Sequence, residues 1–240
     1  MAASPYMTFR YLRGAVYETI SAEWMKLLLF MIFDLFFALI LVAGLGGIGT
    51  SWFLVWSIGY YLFNFVFFRW YFKRSPYLLT WKFFNTLLPA VKVLFMVMLG
   101  LTLLAYMPYF PLLFGGTSET LKKLLTMFIG DFMGESNAYN FMISLILLLM
   151  SPIIMYRPLL AWVASVIGRS GSFRNIFKHT YGFYKLFLKI VVLFYVIGGA
   201  LWGIDRFFSL QGILLAIGVA PLSLLFNLFL AKTYEILILE

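Results

Sequence analysis

The 240-residue chain contains no cysteine. Disulfides, thiol catalysis and cysteine-ligated metals are therefore excluded. Its single histidine, His179, cannot build a multi-histidine metal site. Charge is also scarce: 11% of residues are charged, and 9 acids stand against 18 Lys and Arg. The sequence has no Walker-type phosphate loop, no HExxH, no GxSxG and no cluster of acids suited to a metal. Thr117-Ser118-Glu119 reads as a helix cap, not a catalytic site. Neither an enzyme nor a cofactor is expected.

What is abundant is apolar surface. Hydrophobic residues make up 64% of the chain and aromatics 21%, led by 28 Phe. A soluble domain of this size has too little polar surface to cover so much. A helix needs roughly 20 apolar residues to cross a bilayer. Runs near or above that length lie at residues 26–48, 52–72, 84–107, 139–167, 186–204 and 210–231. Within each run the apolar residues are continuous, not alternating, so helices are expected and a barrel is not. The expected fold is all-α: one transmembrane domain over residues 1–240, with six membrane-spanning helices. A cleavable leader is not expected, because Glu18 and Glu23 precede a first run that is long enough to span.

Where the charges fall sets the expected orientation. With the N-terminus inside, 15 of the 18 basic residues lie in or towards the inner face, and only Lys122, Lys123 and Arg206 fall outside. This positive-inside bias implies an N-in, C-in topology. It accounts for the net charge of +9 with the bilayer, not nucleic acid, as partner. Outside the spans, residues 6–24 place Phe9, Leu12, Val16 and Ile20 at helical spacing, an amphipathic stretch at the inner surface. The inner loop 168–184 is basic and turn-rich. In the outer loop 108–138, Leu121, Leu124, Leu125, Phe128, Ile129, Phe132 and Met133 predict an amphipathic helix with Ser118 as its N-cap.

Polar residues inside a span are costly and frequently functional. Asp34 lies eight residues into the first run, about 12 Å deep at the helical rise. Lys92 and Arg157 reach a similar level in runs three and four. With Asn64 and Asn227 they form a candidate intramembrane polar cluster, in which Asp34 pairs with Arg157 or Lys92. Pro89, Pro152, Pro158 and Pro221 are expected to kink their helices. Gly199 and Gly203 form a GxxxG that permits close helix contact.

The stretch Ala105-Tyr106-Met107-Pro108-Tyr109-Phe110-Pro111-Leu112-Leu113-Phe114 resembles the outer end of helix 3 in TatC, the core of the twin-arginine protein translocase. Trp70-x-Phe72 followed by Pro76 is similar to the motif after TatC helix 2. Lys178-His179-Thr180-Tyr181 is similar to the stretch opening helix 5. Asp205, Phe208-Ser209, Gln211, Leu214-Leu215-Ala216-Ile217 and Pro221 resemble the junction of helices 5 and 6. Leu12-Arg13 is similar to the N-terminal motif. The resemblance runs in order through most of the chain, and it implies a concave six-helix scaffold. It also implies an inner groove near Arg13, Trp70, Phe72 and Pro76 that receives a targeting segment. Pro108, Pro111, Phe114, Asp205 and Gln211 would shape the outer loops. By the same resemblance the chain moves folded proteins on the proton-motive force, with a single-span Tat partner and as a possible homo-oligomer. The family's inner-face acids are replaced here by Tyr11 and by Lys73, Arg74 and Lys82, which implies a divergent member, of the mitochondrial inner membrane rather than the bacterial one.

Two other readings stand beside it. One is a small membrane-homeostasis protein of the YciC-like type, six-helical with basic amphipathic segments at its inner helix ends. Arg74-Ser75 and Arg169-Ser170 each precede such a segment and suggest an internal duplication. The other is an accessory membrane subunit of a respiratory complex.

Overall fold

The computed structural model describes residues 7–45, 59, 62–74, 145–146, 148–169, 173–208 and 213–239. Among the described residues all regular structure is helical, with no strand. Among the described residues three helices are long and apolar enough to cross a membrane: Leu148–Val166, Tyr184–Asp205 and Ala220–Leu239. They fit an integral membrane protein, and they fall on the last three expected spans. The third expected span, the outer loop with Ser118, and Pro76, Pro89, Lys92, Pro108, Pro111, Phe114 and Gln211 lie outside the described residues.

Helix α1 runs Phe9–Leu45 and is broken at Glu23, whose backbone (φ −122, ψ 24) is non-helical. Thr8 caps it, its Oγ1 accepting the Tyr11 N–H at 3.2 Å. The break separates the amphipathic segment from the apolar run that starts at Leu27. On the first segment Leu12 and Val16 are buried one helical turn apart, while Tyr11, Arg13 and Tyr17 on the other side are exposed. The buried face rests on protein: Phe9 stacks on Phe229 with ring centroids 6.1 Å apart.

Helix α2 (residues 62–71) carries an aromatic core. Phe65, Phe67 and Phe68 are fully buried. Phe30 of α1 meets Phe67 edge-on at 5.3 Å and lies 5.0 Å from Trp70. On the opposite side Phe68 meets Trp162 edge-on at 5.4 Å. Trp162 belongs to α3, Leu148–Val166. Within α3, Pro152–Tyr156 form a π-helical turn in which the Arg157 N–H donates to the Pro152 carbonyl. Pro152 and Pro158 both lack an N–H donor, and the wider turn re-registers the hydrogen bonds between them.

Short α4 (Phe173–His179) precedes α5 (Tyr184–Phe207) and α6 (Ile213–Tyr234), and α6 continues as a π-helical turn over Glu235–Leu239. The last span was expected to end at Ala231, before the first charge. The helix instead passes Lys232, which pairs with Glu235 at 2.8 Å one turn on. Pro221 sits inside α6. The GxxxG of α5 does not make the expected contact among the described residues: a Cβ on Gly199 or Gly203 would meet nothing within 4 Å. The close approach of α5 and α6 lies at Gly218, where a Cβ would come within 2.5 Å of Leu201 Cδ1.

Helices α2 and α3 end alike. In α2 the Lys73 and Arg74 N–H groups donate to the Trp70 and Arg69 carbonyls at 2.9 and 2.7 Å. In α3 the Gly168 and Arg169 N–H groups donate to the Ser165 and Ala164 carbonyls at 3.0 and 2.9 Å. Both are Schellman endings, with the penultimate residue left-handed. Gly168 takes φ 81 without a Cβ penalty; Lys73 takes φ 53 with one, at a cost on the order of 1 kcal/mol.

Candidate functional site

Two buried arginines hold the ends of these helices. The Arg69 guanidinium donates to the Val166 carbonyl at 2.9 Å, at the C-terminus of α3. Arg157 donates from Nη2 to the Thr180 carbonyl at 3.1 Å, just past α4, and lies over the Phe177 ring at 5.2 Å. Each cation meets a carbonyl at or just past a helix C-terminus, where the dipole favours positive charge; the Thr180 carbonyl also accepts the Phe183 N–H at 3.2 Å. Together they draw the ends of α2, α3 and α4 into one end of the bundle.

At that end lies a cavity of about 470 Å³. Helix α1 contributes Thr19, Ala22, Glu23 and Lys26, on both sides of its break. The ending of α2 contributes Trp70, Tyr71, Lys73 and Arg74, and α6 contributes Lys232 and Glu235. Lys26 directly precedes the apolar run of α1, and Lys232 directly follows that of α6. The cavity lies where charge first meets these two apolar runs, on the α6 side within the candidate span Ala220–Leu239.

Its charges are unequal. Lys26 pairs with Glu23 at 2.8 Å, and Lys232 with Glu235 at 2.8 Å. Tyr71 also donates to Glu235, at 3.0 Å. Lys26 lies over Trp70 at 5.9 Å and Lys232 over Tyr71 at 5.8 Å. Both carboxylates are thus engaged, while Lys73 and Arg74 are exposed and have no ion pair among the described residues. Arg69, buried below, lies close enough to Arg74 to repel it. Such a site holds an anion more readily than a cation.

Of the groove residues, Trp70 lines this cavity. Phe72 turns away and meets Tyr234 edge-on at 5.7 Å, and Arg13 is exposed on α1 outside the lining. Of the polar cluster, Asn227 donates from Nδ2 to Asn64 Oδ1 at 2.6 Å, both buried, joining α6 to α2. Asp34 is buried and interacts with Ser223, one turn before Asn227 on α6. Its Oδ2 has no hydrogen-bond partner among the described residues. Arg157 is held at Thr180 and makes no ion pair with Asp34. Asp205, near the end of α5, accepts the Leu214 N–H at 3.0 Å and so caps the start of α6.

The roles of Lys26, Arg69, Tyr71, Lys232 and Glu235 were not assigned from sequence. The lysines counted there only toward the inner-face charge. Their one local signal is position, each charge standing where an apolar run begins or ends. Among the described residues no group of three or more His, Asp or Glu is placed to hold a metal. The chain matches no family model, no curated protein and no solved structure.

Proposed function

We propose that the chain is a non-enzymatic membrane scaffold with a membrane-homeostasis role of the YciC-like type, working through the cavity where α1, α2 and α6 meet. The observation that carries this reading is the matched ending of α2 and α3. The Arg-Ser repeat of the sequence coincides with a repeated Schellman structure, Arg69–Arg74 and Ala164–Arg169, and the second is followed by the basic helix α4. A duplicated unit that sets cations at the inner helix ends suits a protein acting on the membrane itself. Deleting the chain from its host tests this. The expected result is altered lipid composition or membrane permeability with normal protein export. Unchanged membranes would overturn it.

A second reading, a TatC-like translocase core driven by the proton-motive force, is favoured by Trp70 lining the cavity and Asp205 capping α6. In it the cavity receives a targeting segment, and a single-span partner completes the channel. Among the described residues the acids lining the cavity are Glu23 and Glu235, each already bonded to a lysine. Accumulation of unexported, folded cargo in the deletion strain supports this reading; normal export counts against it. Residence in the mitochondrial inner membrane belongs to the same proposal.

A further inference from the structure

We infer that the cavity between α1, α2 and α6 is a binding site for the phosphate of an anionic phospholipid. The inference deepens the membrane-scaffold reading by naming its ligand. Three independent observations lead to it.

The first is charge. Among the described residues four cations and two carboxylates line the cavity, a surplus of two positive charges (4 − 2). Both carboxylates are spent on lysines, so the surplus resides at Lys73 and Arg74. A phosphodiester between these two supplies the missing counter-charge and accepts their N–H groups.

The second is backbone strain. Lys73 occupies the left-handed position that glycine fills in the matching ending of α3. Glycine would relieve the backbone there, and such strain at a non-glycine residue is a mark of functional sites; here it sets a cation at the rim of the cavity. The third is place. Trp70 and Tyr71 stand where the apolar spans give way to charge, the level at which amphipathic rings meet lipid headgroups. Basic pockets between membrane helices at that level take anionic headgroups. The cavity's 470 Å³ accommodates a headgroup.

The full chain, purified in mild detergent, would be titrated with phosphatidylglycerol and, separately, phosphatidylcholine, with native mass spectrometry reading bound lipid. Phosphatidylglycerol is expected to be retained and phosphatidylcholine lost. Lys73→Gly relieves the strained backbone, so it folds while removing one cation. It should weaken phosphatidylglycerol about five-fold, and Lys73→Gly with Arg74→Gln about thirty-fold. Arg74→Lys should largely restore binding, and Arg174→Gln on α4 should leave it unchanged. Equal retention of the two lipids, or undiminished phosphatidylglycerol binding by the folded double variant, would overturn the inference. Displacement by millimolar inorganic phosphate would also overturn it, assigning the site to the free anion. Because binding is read on the purified chain, its failure leaves the deletion phenotype to be judged separately.

Discussion

Asn64 and Asn227 meet at 2.6 Å in a part of the bundle otherwise filled by phenylalanine and leucine. Interhelical hydrogen bonds between buried amides contribute about 0.6–1.7 kcal/mol in membrane bundles. They matter more when half broken, because the remaining amide keeps its desolvation penalty. Asn64→Leu is expected to lower the melting temperature in detergent, and adding Asn227→Leu to recover part of the loss. A double-mutant cycle measures the coupling; simple additivity would show that the two amides act independently. Asp34 teaches a different lesson. Sequence set Asp34 and Arg157 at similar depth, and depth is all that a helical rise provides. It does not give the direction around the helix axis. In the structure Asp34 looks to Ser223 on α6, whereas Arg157 looks to the carbonyl beyond α4.

Helix existence was legible because long apolar runs leave little alternative. Helix contacts were not, because a run that is apolar all round carries no mark of its packing face. The GxxxG shows this. Gly199 and Gly203 have the spacing for close contact, yet they are open among the described residues, and it is Gly218 that lies against Leu201. Gly218→Leu should therefore part α5 from α6 at a cost of about 1–3 kcal/mol, while Gly199→Leu leaves stability nearly unchanged. Thermal unfolding of the two variants side by side decides it, and the reverse order would relocate the contact. The amphipathic start of α1 was readable from Leu12 and Val16, since four-residue spacing names a face. The break at Glu23 was not, having neither proline nor glycine to announce it. Nor was the cavity, which joins residues 19–26, 70–74 and 232–235 across more than 200 positions of sequence. Only Trp70 was named for such a site beforehand, through a family resemblance and not through geometry.

At the scale of the whole molecule, the break of α1 and the C-terminal ends of α2 and α6 gather on one side of the bundle. Thr19 and Glu23 of α1, Arg74 after α2 and Glu235 after α6 border the same cavity, and α4 packs against the turn that closes α6. That end is rich in Lys and Arg, so the positive-inside rule predicts, as a proposal to be tested, that it faces inward. The chain lacks cysteine, so single cysteines can be introduced without background. Tyr17 and Tyr181 are 70% and 83% exposed at this end, which makes them good reporters. A membrane-impermeant maleimide, applied from outside to sealed membranes, should label Ser118→Cys in the expected outer loop. It should reach Tyr17→Cys and Tyr181→Cys only after detergent is added. Labelling of Tyr17→Cys and Tyr181→Cys from outside, with Ser118→Cys protected, would invert the topology and place the phosphate site in the other leaflet. Labelling of Tyr17→Cys and Tyr181→Cys from opposite sides would break the shared-end architecture on which the cavity depends.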